Sequence, residues 1–116
     1  MDIGIKRIYE EPAPEDGRRV LVDRLWPRGL SKERARVDFW AREIAPSNEL
    51  RRWYGHDPEK WEEFRRRYFA ELDAVPEAVS VLRRELGAGR ATLLFSSKVE
   101  ELNNATALAE YLEERR

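Results

Sequence analysis

Isoleucines at positions 3, 5 and 8, followed by Tyr9, give a partly alternating pattern that predicts a short first strand. "EEPAPEDG" follows, with two prolines, four acidic residues and a glycine, and reads as a loop. "RRVLVDRL" predicts a second strand, and its unbroken Val20-Leu21-Val22 suits a strand buried on both faces. "SKERA" predicts a short helix capped by Ser31, and a brief strand is expected around Val37 to Trp40. Ser47 caps a helix running to about Tyr54, where Gly55 ends it. Asp57 followed by Pro58 marks the next helix start, and Trp61, Phe64, Tyr68 and Leu72 then keep to one face. Pro76 opens another helix, with Val79, Leu82 and Leu86 facing inward and Gly87 stopping it. "ATLLFSS" has the length and content of a buried strand, and the last helix carries Ala105, Leu108 and Leu112 on one stripe.

The order is therefore strand, strand, short strand, three helices, strand, helix. The closing strand-to-helix unit predicts an α/β domain, a small, mostly parallel central sheet of three to four strands flanked by helices in a three-layer, Rossmann-like arrangement. At 116 residues, with no linker or internal repeat, residues 1–116 are expected to form one domain.

Composition narrows the function classes. Lys and Arg number 22 against 23 Asp and Glu, a formal net charge of −1, so any attraction to nucleic acid must come from a local patch. The chain has no cysteine, which removes disulfides, thiolate catalysis and cysteine-based zinc sites. No apolar run reaches the roughly 18 residues of a membrane span, and "MDIGIKRIYEE" has no signal-peptide apolar region, so a cytoplasmic protein is expected. Glutamine is absent and charge abundant, which fits a thermostable protein; the excess of Arg over Lys also fits a GC-rich genome.

In open α/β sheets, ligands bind beyond the carboxyl ends of the strands. Two segments occupy such positions: "DRLWPRGLSK" after the second strand and "SSKVEELNN" after the last. If those strands are parallel neighbours, Asp23, Arg24, Trp26, Arg28, Ser31, Ser96, Ser97, Lys98 and Asn103 can share one cleft. Arginine forks grip oxyanions bidentately, so the cluster suits a phosphate, nucleotide or carboxylate. The same residues also suit a charged turn with Trp26 plugging the core edge. His56, the single histidine, stands in "YGHDP" as a candidate base or a local backbone cap. One histidine without cysteines makes no metal site, and no P-loop, GxGxxG or GxSxG pattern points to a cofactor or a serine nucleophile. Arg65-Arg66-Arg67 reads as a solvated helix face with Glu59, Glu62, Glu63 and Glu71 in pairing range.

Three stretches carry a resemblance: "VDRLWPRG", "APS" with "LR" and Trp53 after it, and "HDP" followed by Trp61, Phe64, Arg67-Tyr68 and Glu71-Leu72. Together they resemble the YeaO-like branch of domain of unknown function 488 over nearly the whole chain. The resemblance implies a small cytoplasmic α/β protein of prokaryotic type and brings no established activity. It marks Asp23, Arg24, Trp26, Pro27, Arg28 and Gly29, with His56 and Asp57, as shared positions. The last shared motif reads A-K-D-x-x-H-N-x-A; here Lys98, Asn103 and Ala105 fit, while Val99 stands at its aspartate and Leu102 at its histidine.

The leading expectation is a small anionic ligand at the strand ends, gripped by Arg24, Arg28 and Lys98, with Trp26 shaping the wall and Asp23 orienting the arginines. A hydrolase or transferase using His56 or Asp23 is the first alternative. A regulatory protein acting through a protein or nucleic-acid partner, as monomer or homodimer, is the second.

Overall fold

In the computed structural model, which describes residues 2–115, every strand runs the same way. The strands are β1 (Asp2–Arg7), β2 (Arg18–Leu21), β3 (Phe39–Trp40) and β4 (Arg90–Phe95), in the order β1-β4-β2-β3. The helices are α1 (Lys32–Ala35), α2 (Asn48–Tyr54), α3 (Trp61–Asp73), α4 (Pro76–Leu86) and α5 (Asn104–Glu114). The small parallel α/β architecture is the one expected. No helix among the described residues is long and apolar enough to cross a membrane.

Strand alternation divides the core between the two faces of the sheet. Val20, Val22, Ala91, Leu93 and Phe95 face α2 to α5, whose Leu50, Phe64, Tyr68, Leu72, Leu82, Leu86 and Leu108 complete the main core. Leu21, Leu94 and Ile8 face the other way and meet Ala35 of α1, with Trp26, Leu30, Val37 and Trp40 packed around them. This second layer is thin: one four-residue helix and connecting loops cover it. Two tryptophans, edge to face with centroids 5.5 Å apart, supply much of its apolar area.

Local signals set most boundaries. Ser31 and Ser47 accept from the amides of Arg34 and Leu50 and so cap α1 and α2, and Gly55 ends α2 in the left-handed conformation. The start after Asp57 differs from the expected helix. Asp57 caps a 3-10 turn at Pro58–Lys60, and the α-helix itself begins at Trp61. The aromatic stripe is core, with Phe64 and Tyr68 buried. Arg66 and Arg67 lie on the expected solvated face and pair with Glu63, whereas Arg65 is half-buried and pairs with Glu62 and, across to α5, with Glu110.

A buried ion pair closes the amino end of β2. Arg19, 4% exposed, gives two hydrogen bonds to the Ala35 carbonyl, one to that of Arg36, and one of 2.6 Å to Asp16. Lys6 and the Ala13 amide also reach the Asp16 carboxylate. Burial alone would raise the Asp16 pKa, but the hydrogen bonds from Ala13, Lys6 and Arg19 outweigh it and hold the group below its ordinary value.

Asp16→Ala leaves the Arg19 charge buried without its partner, so a loss of about 3 kcal/mol is expected in chemical denaturation. The native pKa lies below the unfolded value of about 3.9, so the native state binds fewer protons in that region. Stability from this group is thus complete above the unfolded pKa and lost as pH falls through the native one. Denaturation midpoints of wild type and variant should converge at the acid end and separate above it.

Candidate functional site

β2 and β4 are parallel neighbours, with Leu21 level with Leu94, so their carboxyl ends open side by side. Asp23, just past β2, fastens them together. Its Oδ2 accepts from the Ser96 amide at 2.9 Å and the Ser96 hydroxyl at 2.7 Å, and its Oδ1 from Asn104 Nδ2 at 3.1 Å. Asn104 also donates to the Val22 carbonyl, bringing the start of α5 onto the end of β2. Arg7, ending β1, donates to the carbonyls of Ser96 and Ser97. The Trp40 indole holds the Asp23 carbonyl, Trp26 holds that of Leu30, and Tyr9 holds that of Arg28. Side chains from every strand end therefore shape the loop backbones.

Above this floor lies a cavity of about 520 Å³. Arg24 and Arg28 enter from the loop after β2, and Arg51 and Arg52 from α2. That helix is held at both ends: Glu71 of α3 accepts from Ser47 at its cap, and Lys60 donates to the Trp53 carbonyl near its end. The aromatic wall is Tyr54 stacked on Phe64 at 4.3 Å, with His56 edge-on to Tyr54 at 5.8 Å. His56 has a left-handed backbone, φ 57°, which histidine tolerates better than most residues. The Tyr54 hydroxyl donates to the Leu102 carbonyl; burial first, then the Asp57 charge, raises its pKa and keeps it a donor.

Four arginines thus line the cavity against one acidic group, Asp23, whose oxygens already accept three hydrogen bonds. Arg51 bonds Asn48, and Arg24 bonds the Ala45 carbonyl while its Nε is buried without a partner. The exposed side chains of Arg28 and Arg52 have no hydrogen-bond or ion-pair partner among the described residues. Low-dielectric walls around uncompensated cations concentrate positive potential in such a recess.

Asp23, Arg24, Trp26, Arg28, Ser96, Ser97 and His56 all border this cavity. Asp23 is hydrogen-bonded to Ser96 and Asn104, not to the arginines it was expected to orient. Ser31 lies outside the lining, capping α1. Asn103 is buried and spent on capping α5: its oxygen accepts from Thr106, and its amide donates to the carbonyls of Val99 and Glu100. Lys98 is exposed on the loop and does not line the cavity. Tyr9, Arg51, Arg52, Tyr54 and Asn104 join the site without having been singled out for it. For the arginines the signal was their place in "LRRWYGH", a few residues before His56.

Residues 2–116 match the family model described as "Inactive DUF488-N3 subclade". The chain is 41% identical over 113 residues to the uncharacterized protein Rv3073c of Mycobacterium tuberculosis, covering 97% of this chain and 95% of that one. It is 39% identical over 112 residues to the uncharacterized protein YeaO of Escherichia coli, covering 97% of each. No solved structure matches it significantly. Val99 and Leu102, the two apolar replacements in the last shared motif, both lie on the turn into α5, where Leu102 meets Tyr54 through its carbonyl.

Asp23→Ala removes the acceptor of three hydrogen bonds and strands the Ser96 amide. A loss of about 3 kcal/mol is expected. Hydrogen exchange checks the location: the Ser96 amide should lose protection before the amides of the β4 interior.

Proposed function

We propose that this chain, which belongs to the DUF488 family within its inactive N3 subclade, binds a small organic anion in the arginine-lined cavity without transforming it. The observation that carries the reading is the set of four arginines around one recess, with Arg28 and Arg52 unpaired and facing a single, already satisfied carboxylate. Ion pairs elsewhere neutralise comparable arginines, as on α3. A phosphate ester, nucleotide or carboxylate would supply the missing counter-charge through bidentate contacts.

Size favours an organic anion over a bare oxyanion. A volume of about 520 Å³ falls in the usual range for small-molecule sites, and inorganic phosphate would leave most of it to water. Trp26 and Tyr9, which keep exposed surface beside the cavity, offer apolar contact to the rest of such a ligand, with the buried Tyr54 and Phe64 stacked behind. Arg24 fits the role of inner contact, because its buried Nε has a donor to give. Two features favour binding over chemistry. Asp23 is tied into the scaffold as an acceptor, and the family's aspartate and histidine positions hold Val99 and Leu102. His56 then serves as one more hydrogen-bonding group on the wall.

A thermal-shift panel of inorganic phosphate, nucleoside phosphates, phosphosugars and dicarboxylates tests the reading. A ligand at a hundredfold excess over Kd should stabilise the protein by about 2.7 kcal/mol, a rise on the order of 10 °C in Tm for a domain of this size. Arg28→Ala with Arg52→Ala should fold normally, since both side chains are exposed, and should lose most of that shift. An equal shift in the double variant, or no hit across the panel, would overturn the assignment.

A further inference from the structure

We infer that the free edge of β1 pairs with β1 of a second copy of this chain, antiparallel and about a two-fold axis at Gly4. The strand order leaves β1 with a neighbour, β4, on one side only. Ile8 donates to the Phe95 carbonyl, so in this parallel ladder the even-numbered residues of β1 face β4 and the odd-numbered ones face outward. Arg7 is outward-facing but already satisfied: its amide donates to Glu10 Oε2, and its carbonyl accepts from the Glu10 amide. The open stretch of the described edge is therefore the amides and carbonyls of Ile3 and Ile5.

Those four groups choose the register. In an antiparallel pair, residues that exchange hydrogen bonds stand directly opposite each other. Setting Ile3 opposite Ile5 of the second copy uses all four groups twice over and leaves Gly4 opposite Gly4 as the close, non-bonded pair. The same register sets Asp2 opposite Lys6, once on each side of the axis. Shifting by two residues in either direction loses this match: it puts Lys6 or Asp2 against Gly4, and in one direction draws Arg7 into the apolar positions.

Side chains agree with the backbone. Ile5 is 38% exposed although it lies in a strand, and it sits on the same face as Ile3, which lines a shallow groove with Ala109 of α5. Cross-strand Ile3–Ile5 pairs would cover both. Asp2 is 71% exposed and paired with Arg90, while Lys6 is paired with Asp16. Joining Asp2 to Lys6 across the axis makes one chain of alternating sign, from Arg90 through Asp2 and Lys6 to Asp16. Natural edge strands are usually blunted by prolines, bulges, charged side chains or a covering element. The stretch Asp2–Lys6 carries no proline, pairs with β4 without a register break, and its two charges are of opposite sign, so this register matches them instead of setting like charges together.

The test exploits the absence of cysteine. Opposed Gly4 residues would lie with Cα atoms about 4.5 Å apart, within disulfide range, and a Cβ there must push aside the guanidinium of Arg90, the far end of a flexible side chain. Under mild oxidation Gly4→Cys should cross-link into a covalent dimer. Asp2→Cys, which faces Lys6 of the other copy, should not. Sedimentation of the wild type should show a concentration-dependent shift from monomer to dimer, lost in Ile5→Pro and Ile5→Lys. Proline there removes an outward amide that β4 does not use, and lysine charges the edge; circular dichroism confirms that each variant is folded. A dimer that persists in both folded variants, equal cross-linking at positions 2 and 4, or a wild type that stays monomeric into the millimolar range would overturn the proposal.

Discussion

The carboxylate of Asp23 is the point on which the carboxyl end of the sheet depends. Parallel strands cannot be joined by a tight turn, so β2 and β4 arrive side by side from chain segments far apart in sequence. Their ladder stops at the last paired residues, Leu21 and Leu94. Beyond that point the backbones would diverge with unsatisfied amides. Asp23 prevents this by accepting from the Ser96 amide and hydroxyl while Asn104 binds the same carboxylate and the Val22 carbonyl. The sheet is in effect extended past its ladder by one side chain, and the start of α5 is docked in the same step.

The two ends of the sheet handle charge in opposite ways. At the amino end, Arg19 is buried, and its charge is matched within the fold by Asp16 and by the carbonyls of Ala35 and Arg36. Such a pair offers little net stability against an apolar replacement, yet breaking it is costly, so it locks the loop before β2 and the end of α1 in place. At the carboxyl end, arginines gather with no acidic partner except one already occupied. Holding like charges together is unfavourable unless an anion arrives, and that asymmetry is what singles out this strand end as the candidate site.

The thin face of the sheet contributes to the same end. Trp26 and Trp40 pack edge to face there, and their indole nitrogens hold the carbonyls of Leu30 and Asp23. Packing and loop geometry are thus set by the same two side chains. On the thick face, α2 is pinned to α3 through Ser47 and Glu71, which fixes the height at which Arg51 and Arg52 meet the cavity.

Much of this was legible along the chain. Ser31, Ser47, Gly55, Pro76 and Gly87 punctuate the helices through contacts within a few residues, and the period of Phe64, Tyr68 and Leu72 marks a buried face without reference to anything else. The strand ends at Asp23 and Ser96 were legible as candidate loops because charge and small polar residues interrupt apolar runs. Which of their residues meet was not. Asp23 and Ser96 lie 73 positions apart, and only the strand order β1-β4-β2-β3 makes them neighbours. Lys98 and Asn103 share the loop's composition, but the backbone turn leaves one in solvent and buries the other as a helix cap. Arg51 and Arg52 were visible only as charges on a helix until the packing of α2 against α3 aimed them at the cavity. Local structure follows from short-range sterics and hydrogen bonds, which sequence displays; a site follows from which loops the packed core brings together, and that is decided by long-range burial.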